Sequence, residues 1–146
     1  MDKTGQCMCG AVTLRATLSS NILNVCNCDM CRRWTGSEFI SVRVNQDSIV
    51  LDGPVKRFQS SEWAERGFCG ICGSTLFYRL TAEVPGQGDY NFAAGMFDTR
   101  DMKIGMEFFV DTKPQGYALA GNHTKLTRAE TAAHFGVSFE EDGKNA

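Results

Sequence analysis

The sequence predicts a mainly β fold with a short C-terminal helix. Three observations carry that reading. Apolar and polar residues alternate with a period of two in several short segments, the mark of half-buried strands. Turn-forming clusters such as Asp52-Gly53-Pro54 and Pro85-Gly86-Gln87-Gly88-Asp89 punctuate them. Helix-start chemistry is confined to two short stretches.

Val12, Leu14 and Ala16 alternate with Thr13, Arg15 and Thr17, which predicts a strand. Ile40, Val42 and Val44 alternate with Ser41, Arg43 and Asn45 in the same way. The apolar run 48–51 closes at Asp52-Gly53-Pro54, and strands are expected at 55–59 and 63–68 with Ser60-Ser61 turning between them. Thr75–Leu80 is aromatic and β-branched, with Leu76 and Tyr78 expected on one face. Segments 90–97 and 106–110 read as two more strands, and 117–119 as a last short one. Thr127-x-x-Glu130 is a capping box, in which hydroxyl and carboxylate each accept from an otherwise orphaned N–H. Its helix is expected to run to about Phe135 and stop at Gly136. Segment 31–36 is read as one further helical turn, and 140–146 as a frayed tail.

Composition bounds the rest. The chain has 146 residues, 16.1 kDa, a net charge of −2 and 42% hydrophobic residues, the profile of one globular domain over 1–146. A chain of that length buries roughly 68–70% of its unfolded surface, so a core forms without disulfides. The absence of a basic run argues against a nucleic-acid partner. No segment reaches the ~20 apolar residues of a membrane span. Met1–Gln6 lacks the apolar stretch of a secretory signal, so the expected location is cytoplasmic.

Cysteine is the unusual component. The seven fall as Cys7-x-Cys9, Cys26-x-Cys28-x-x-Cys31 and Cys69-x-x-Cys72. An odd number cannot pair fully, and in a reducing compartment such clusters hold metal more often than they form bridges. Structural zinc fills four positions, whereas catalytic zinc keeps three protein ligands and leaves a fourth to water or substrate. Seven divides as four plus three. The middle cluster supplies three ligands within six residues and grips one ion alone. The outer pairs share a feature: Gly10, Gly70 and Gly73 each follow a cysteine, where tight turns let N–H groups approach sulfur. We therefore expect two zinc ions: a closed site of Cys7, Cys9, Cys69 and Cys72, and an open one of Cys26, Cys28 and Cys31. A closed second site would need Asp29, a histidine or another side chain as fourth ligand. His123 and His134, both far along the chain, read as surface or loop residues instead.

The three segments Gly5-Gln6-Cys7-Met8-Cys9-Gly10-Ala11-Val12, Cys26-Asn27-Cys28-Asp29-Met30-Cys31-Arg32-Arg33 and Arg66-Gly67-Phe68-Cys69-Gly70-Ile71-Cys72-Gly73-Ser74 resemble the glutathione-dependent formaldehyde-activating enzymes, a group that includes centromere protein V. A weaker likeness runs through 91–98 and 108–117, so the motif-bearing part spans about 3–120. The resemblance implies a zinc-containing β-tent fold of small antiparallel sheets, four structural and three catalytic cysteines, and a carbon–sulfur lyase that joins formaldehyde and glutathione as S-hydroxymethylglutathione. The chain departs from the family in three places. Met8 stands where histidine is common, and Glu107-Phe108 and Gly116-Tyr117 stand where relatives carry histidine and tryptophan.

At an open three-thiolate zinc, a thiol substrate would lose its proton and attack an aldehyde. Arg32 and Arg33, next to the last ligand, are candidate clamps for a substrate carboxylate, and Ser37 is a candidate hydrogen-bond donor. Trp34 and Phe39 are candidate pocket walls or core residues. Two other functions compete. A zinc-stabilised protein-binding module would have both sites closed. A methionine sulfoxide reductase would need a reactive cysteine outside the metal sites. The sequence leaves the physiological substrate, reaction direction and oligomeric state open.

Overall fold

The computed structural model describes residues 1–138, so the expected tail at 140–146 lies outside the described residues. In chain order the strands are β1 (Asp2–Gln6), β2 (Thr13–Thr17), β3 (Ile22–Cys26), β4 (Phe39–Val44), β5 (Ile49–Asp52), β6 (Val55–Gln59), β7 (Ala64–Cys69), β8 (Thr75–Leu80), β9 (Tyr90–Ala93), β10 (Lys103–Phe108) and β11 (Thr124–Leu126). The helices are α1 (Asp29–Thr35) and α2 (Arg128–Phe135). The protein is mainly β, with small sheets and a short C-terminal helix. No helix among the described residues is long and apolar enough to cross a membrane. Two compact units form, Met1–Asn21 with Ser41–Met102, and Ile22–Ile40 with the chain from Lys103 onward.

In the first unit, β1, β2 and β5 make an antiparallel sheet. The stripe Val12, Leu14 and Ala16 is buried, as its alternation requires. β1 has no apolar stripe and was not anticipated; it forms because its backbone pairs with β2 from Asp2↔Thr17 to Gln6↔Thr13. The strands β4, β9, β8, β7 and β6 follow one another in an antiparallel succession. On β8, Leu76 and its neighbour Phe77 are both fully buried, so both faces are covered, while Tyr78 is only half-buried. Gly67 lies opposite Phe77, and a Cβ there would stand 2.3 Å from the ring. The glycine is the space into which Phe77 packs, edge-on to Phe92 with centroids 5.6 Å apart. β9 stops at Ala93, short of the expected 97, because 94–96 turns as a 3-10 helix.

In the second unit the order is β11-β10-β3, and both pairs are parallel, unlike the antiparallel pairing expected. Alternation reports burial, not strand direction, so the sequence pattern is blind to this. β3 was missed, and β10 begins three residues earlier than expected, at Lys103. The final strand is β11, not 117–119; Tyr117 instead closes a turn by donating its N–H to the Pro114 carbonyl. The capping box on α2 is present in both directions, and Gly136 ends the helix at φ 65°. Phe108 of β10 packs on Phe135 of α2, centroids 5.4 Å apart.

Candidate functional site

Each outer cysteine pair sits on a tight turn at the end of a strand. After β1, the Cys7 N–H donates to the Val12 carbonyl, the Gly10 N–H donates to the Cys7 carbonyl, and Gly10 has φ 77°. After β7, the Gly73 N–H donates to the Cys69 carbonyl, the Cys69 N–H to the Ser74 carbonyl, and Gly73 has φ 74°. Gly10 and Gly73 thus hold the left-handed conformation glycine allows. Gly70 does not; it is needed because a Cβ would meet the Pro54 carbonyl oxygen at 2.9 Å.

These turns bring Cys7, Cys9, Cys69 and Cys72 together in the first unit, all four sulfurs within 4.8 Å of one another. The Cys7–Cys9 and Cys9–Cys69 separations are 3.6 and 3.9 Å. A tetrahedron of sulfurs around zinc has edges of about 3.8 Å, so the spacing fits a four-coordinate ion. N–H groups of Val12, Ile71 and Cys72 point at the sulfurs from 3.2 to 3.4 Å. Ser74 was missed as a support. Its hydroxyl lies 3.1 Å from Cys72 Sγ and accepts from the Met8 N–H at 3.1 Å, tying the two turns together. Hydrogen bonds from the Ser74 hydroxyl and backbone bring the Cys72 thiol down to about 5. Met8 and Ile71, at the turn tips, are 80% and 69% exposed.

The middle cluster lies in the second unit. Cys26 ends β3, Cys28 is the N-cap of α1, and Cys31 is in the helix's first turn. Cys28 Sγ accepts from the Cys31 N–H at 3.4 Å. The three sulfurs are mutually within 4.8 Å, and no fourth Cys, His, Asp or Glu among the described residues joins them. The set fits a soft divalent ion with an open position. Hydrogen bonds from Cys28 and Cys31 and burial push the Cys26 thiol well up. The hydrogen bond with Cys26 lowers Cys28, but that with Cys31 and burial outweigh it and push it up to about 12.

Asn27, between Cys26 and Cys28, is 1% exposed and bonded through its backbone and its side-chain NH2. Its backbone N–H and its side-chain amide both donate to the Phe108 carbonyl, at 3.1 and 3.0 Å. Its own carbonyl accepts from Arg32 Nε at 3.0 Å and Thr112 Oγ1 at 2.9 Å. The amide also donates to Glu107 Oε1 at 3.2 Å. Glu107 is fully buried and accepts from Lys113 Nζ at 2.9 Å and His123 Nε2 at 2.7 Å. Burial alone would raise its carboxyl; the His123, Lys113 and Asn27 hydrogen bonds hold it below the usual range. His123 lies in a loop, one of the two places expected for it, but its side chain is 0% exposed, because it answers a buried carboxylate. Neither histidine joins a cysteine cluster. His134 lies in the last turn of α2, exposed, beside Phe108.

A pocket of about 250 Å³ opens along α1 in the same unit, lined by Asp29, Arg32, Arg33, Ser37, Pro114 and Tyr117 among others. The three residues expected to meet substrate, Arg32, Arg33 and Ser37, thus share one cavity. Arg32 is already engaged by Asp29 and the Asn27 carbonyl, and Ser37 Oγ bonds to the Glu38 carboxylate. Arg33, which also lines the pocket, is exposed. Trp34 and Phe39 pack on one another at 5.1 Å and do not line it.

The chain resembles known proteins at three levels. A Rhodobacter sphaeroides crystal structure matches with a TM-score of 0.55 over 85% of this chain and 99% of its own, at 18% identity, which shows a shared fold alone. A Schizosaccharomyces pombe protein named an uncharacterized lyase is 31% identical over 125 residues, 84% of this chain and 89% of that protein. The model of one family, the glutathione-dependent formaldehyde-activating enzymes, matches residues 2–112, a span that includes all seven cysteines. On that match, the chain belongs to the glutathione-dependent formaldehyde-activating enzyme family.

Proposed function

We propose that the chain is a zinc-dependent carbon–sulfur lyase acting on a thiol–aldehyde adduct, of which S-(hydroxymethyl)glutathione is the type. The observation that carries this reading is a cluster of three sulfurs joined by no fourth Cys, His, Asp or Glu among the described residues, set where β3 leads into the helix that lines a pocket bearing two arginines. The family match and the lyase name of the yeast relative support the reaction class.

Cys26, Cys28 and Cys31 hold the working ion, and Cys7, Cys9, Cys69 and Cys72 hold the ion that clamps the first unit. Zinc in the three-thiolate site supplies a Lewis-acidic position that favours the ionised form of an incoming thiol. Arg33 binds a carboxylate of the thiol substrate through its planar fork. Arg32 keeps the metal loop in place through the Asn27 carbonyl and lends its charge to the same pocket. The Tyr117 hydroxyl serves as a donor toward the substrate's polar groups, and Ser37, whose O–H is given to Glu38, offers its oxygen as an acceptor. In the forward direction a sulfur–carbon bond forms, the carbonyl π bond breaks, and the thiol proton ends on the former carbonyl oxygen. The reverse step cleaves the same bond and releases aldehyde and thiol.

The test is exchange spectroscopy with ¹³C-formaldehyde and a panel of small thiols. The wild type accelerates exchange between free aldehyde and one thiol adduct above the spontaneous rate, and Cys28→Ser does not. Equal exchange with and without protein, for every thiol, contradicts the reading.

One observation favours a second reading, a zinc-stabilised protein-binding module: Met8 and Ile71 stand exposed at the tips of the four-cysteine turns. Under it, Met8→Ser with Ile71→Ser abolishes partner capture, and no thiol alters the metal spectrum. A sulfoxide reductase is disfavoured, since all seven cysteines fall within the two clusters.

A further inference from the structure

We propose that Glu107 is a positioning residue for the three-sulfur centre, acting through Asn27, and that the same carboxylate sets the adjoining pocket wall through Lys113. The inference rests on an ion being held by Cys26, Cys28 and Cys31, which the test below examines separately.

A fully buried carboxylate in a strand is costly unless every lone pair is answered. Glu107 is answered from three directions, by Asn27 from the metal loop, Lys113 from the segment after β10, and His123 from the segment before β11. Donation to the carboxylate places the imidazole proton on Nε2. The other ring nitrogen, His123 Nδ1, is buried with no hydrogen-bond partner among the described residues. The Lys113 charge balances that of Glu107.

The geometry runs directly to the ligands. Asn27 is the middle residue of Cys26-x-Cys28, so fixing its side chain and both backbone polar groups fixes the two flanking sulfurs. The Glu107 bond supplies the side-chain contact that lies deepest. The second arm runs through Lys113, one residue before Pro114, which lines the pocket. Between them the chain turns at Phe109, the one non-glycine residue with positive φ (58°) among those described. Such a conformation persists only where its surroundings hold it. Phe108 O receives Asn27, Thr112 Oγ1 donates to the Asn27 carbonyl, and Lys113 returns to Glu107. Metal loop and pocket wall therefore share one anchor.

The test is zinc titration against a chromophoric chelator, with cobalt spectra of the same variants. Wild type takes up two ions. Glu107→Gln, which keeps the shape but removes the charge, retains wild-type affinity at the four-cysteine site and loses about 10–100-fold at the three-cysteine site, the range for residues that orient metal ligands. Its cobalt difference spectrum shifts only in the bands of that site. Affinity within twofold of wild type there overturns the proposal. Equal weakening at both sites also overturns it, because a merely structural role would act on both. Where Glu107→Gln does not fold, Asn27→Ala decides by the same criteria. A wild type that takes up one ion overturns the functional reading itself, and the proposal with it.

Discussion

The side-chain amide of Asn27, set between Cys26 and Cys28, donates at 3.2 Å to the fully buried carboxylate of Glu107, eighty positions further along the chain. That bond joins the loop carrying two of the clustered sulfurs to β10, where Glu107 stands between Met106 and Phe108. It makes the three-sulfur centre a product of two distant segments, and several measurable consequences follow from that and from the partition of the cysteines.

The two metal groups differ in what they support. Cys69→Ser removes a ligand that closes a sixty-residue span with Cys9, and metal binding of this kind is folding free energy. We expect loss of one ion and a fall in stability of at least about 3 kcal/mol, since even a partial share of a structural zinc site's energy is that large. Cys28→Ser loses the other ion and all activity, with a midpoint in urea close to wild type. Metal analysis and urea denaturation of the two variants check this, and equal destabilisation contradicts it.

Ion uptake at the three-sulfur site is pH-dependent in a calculable direction. Cys26 is pushed well above its ordinary value and Cys28 to about 12, so both thiols carry protons near neutral pH. Each must leave when the ion binds, so affinity rises with pH, by about two log units per pH unit from this pair. Cys72, brought down to about 5, is already ionised at neutral pH and adds no slope at the other site. Chelator competition at pH 6, 7 and 8 measures the slope; a flat profile contradicts it.

Arg32 and Arg33 separate by role. Arg33→Ala raises KM for a carboxylate-bearing thiol about tenfold, or about 1.4 kcal/mol, the size of a charge-assisted hydrogen bond. It leaves stability within about 0.5 kcal/mol, as for most exposed positions. Arg32→Ala also weakens ion retention, because Arg32 Nε holds the Asn27 carbonyl at 3.0 Å. Steady-state kinetics with metal titration of both variants checks the split; identical behaviour contradicts it.

Packing in the first unit makes an independent test. Gly67→Ala puts a methyl 2.3 Å from the Phe77 ring, which is fully buried and cannot retreat. We expect a loss of roughly 1–3 kcal/mol, the usual cost of overpacking. Gly95→Ala, with nothing within 4 Å of the added carbon, changes stability by less than about 0.5 kcal/mol. Urea midpoints of the two variants decide it.

Much of this was legible in the residues. The spacing of Cys26, Cys28 and Cys31 foretold one sulfur group because ligands close in sequence stay close in space; the other joins pairs sixty residues apart and was legible only from their shared trailing glycines and from seven dividing as four plus three. Thr127 and Glu130 foretold the α2 start because capping is local chemistry. β1 was invisible, since Asp2–Gln6 has no apolar stripe and exists through its pairing with β2. The parallel direction of β3, β10 and β11 was invisible because a period of two says nothing of direction. The Glu107 network was missed, although one signal was present: a carboxylate inside Met106-Glu107-Phe108-Phe109-Val110 implies buried partners. Which partners, Lys113, His123 and Asn27, only the folded chain reveals.

The central claim is that one ion is saturated by four sulfurs and the other, held by three, takes a ligand from outside. Cobalt substitution followed by titration with glutathione and other small thiols tests it most directly. The account predicts two cobalt ions per chain and a thiol-dependent change in the charge-transfer bands of one of them, absent in Cys28→Ser. A spectrum that no thiol alters, or a chain that binds one ion, contradicts it.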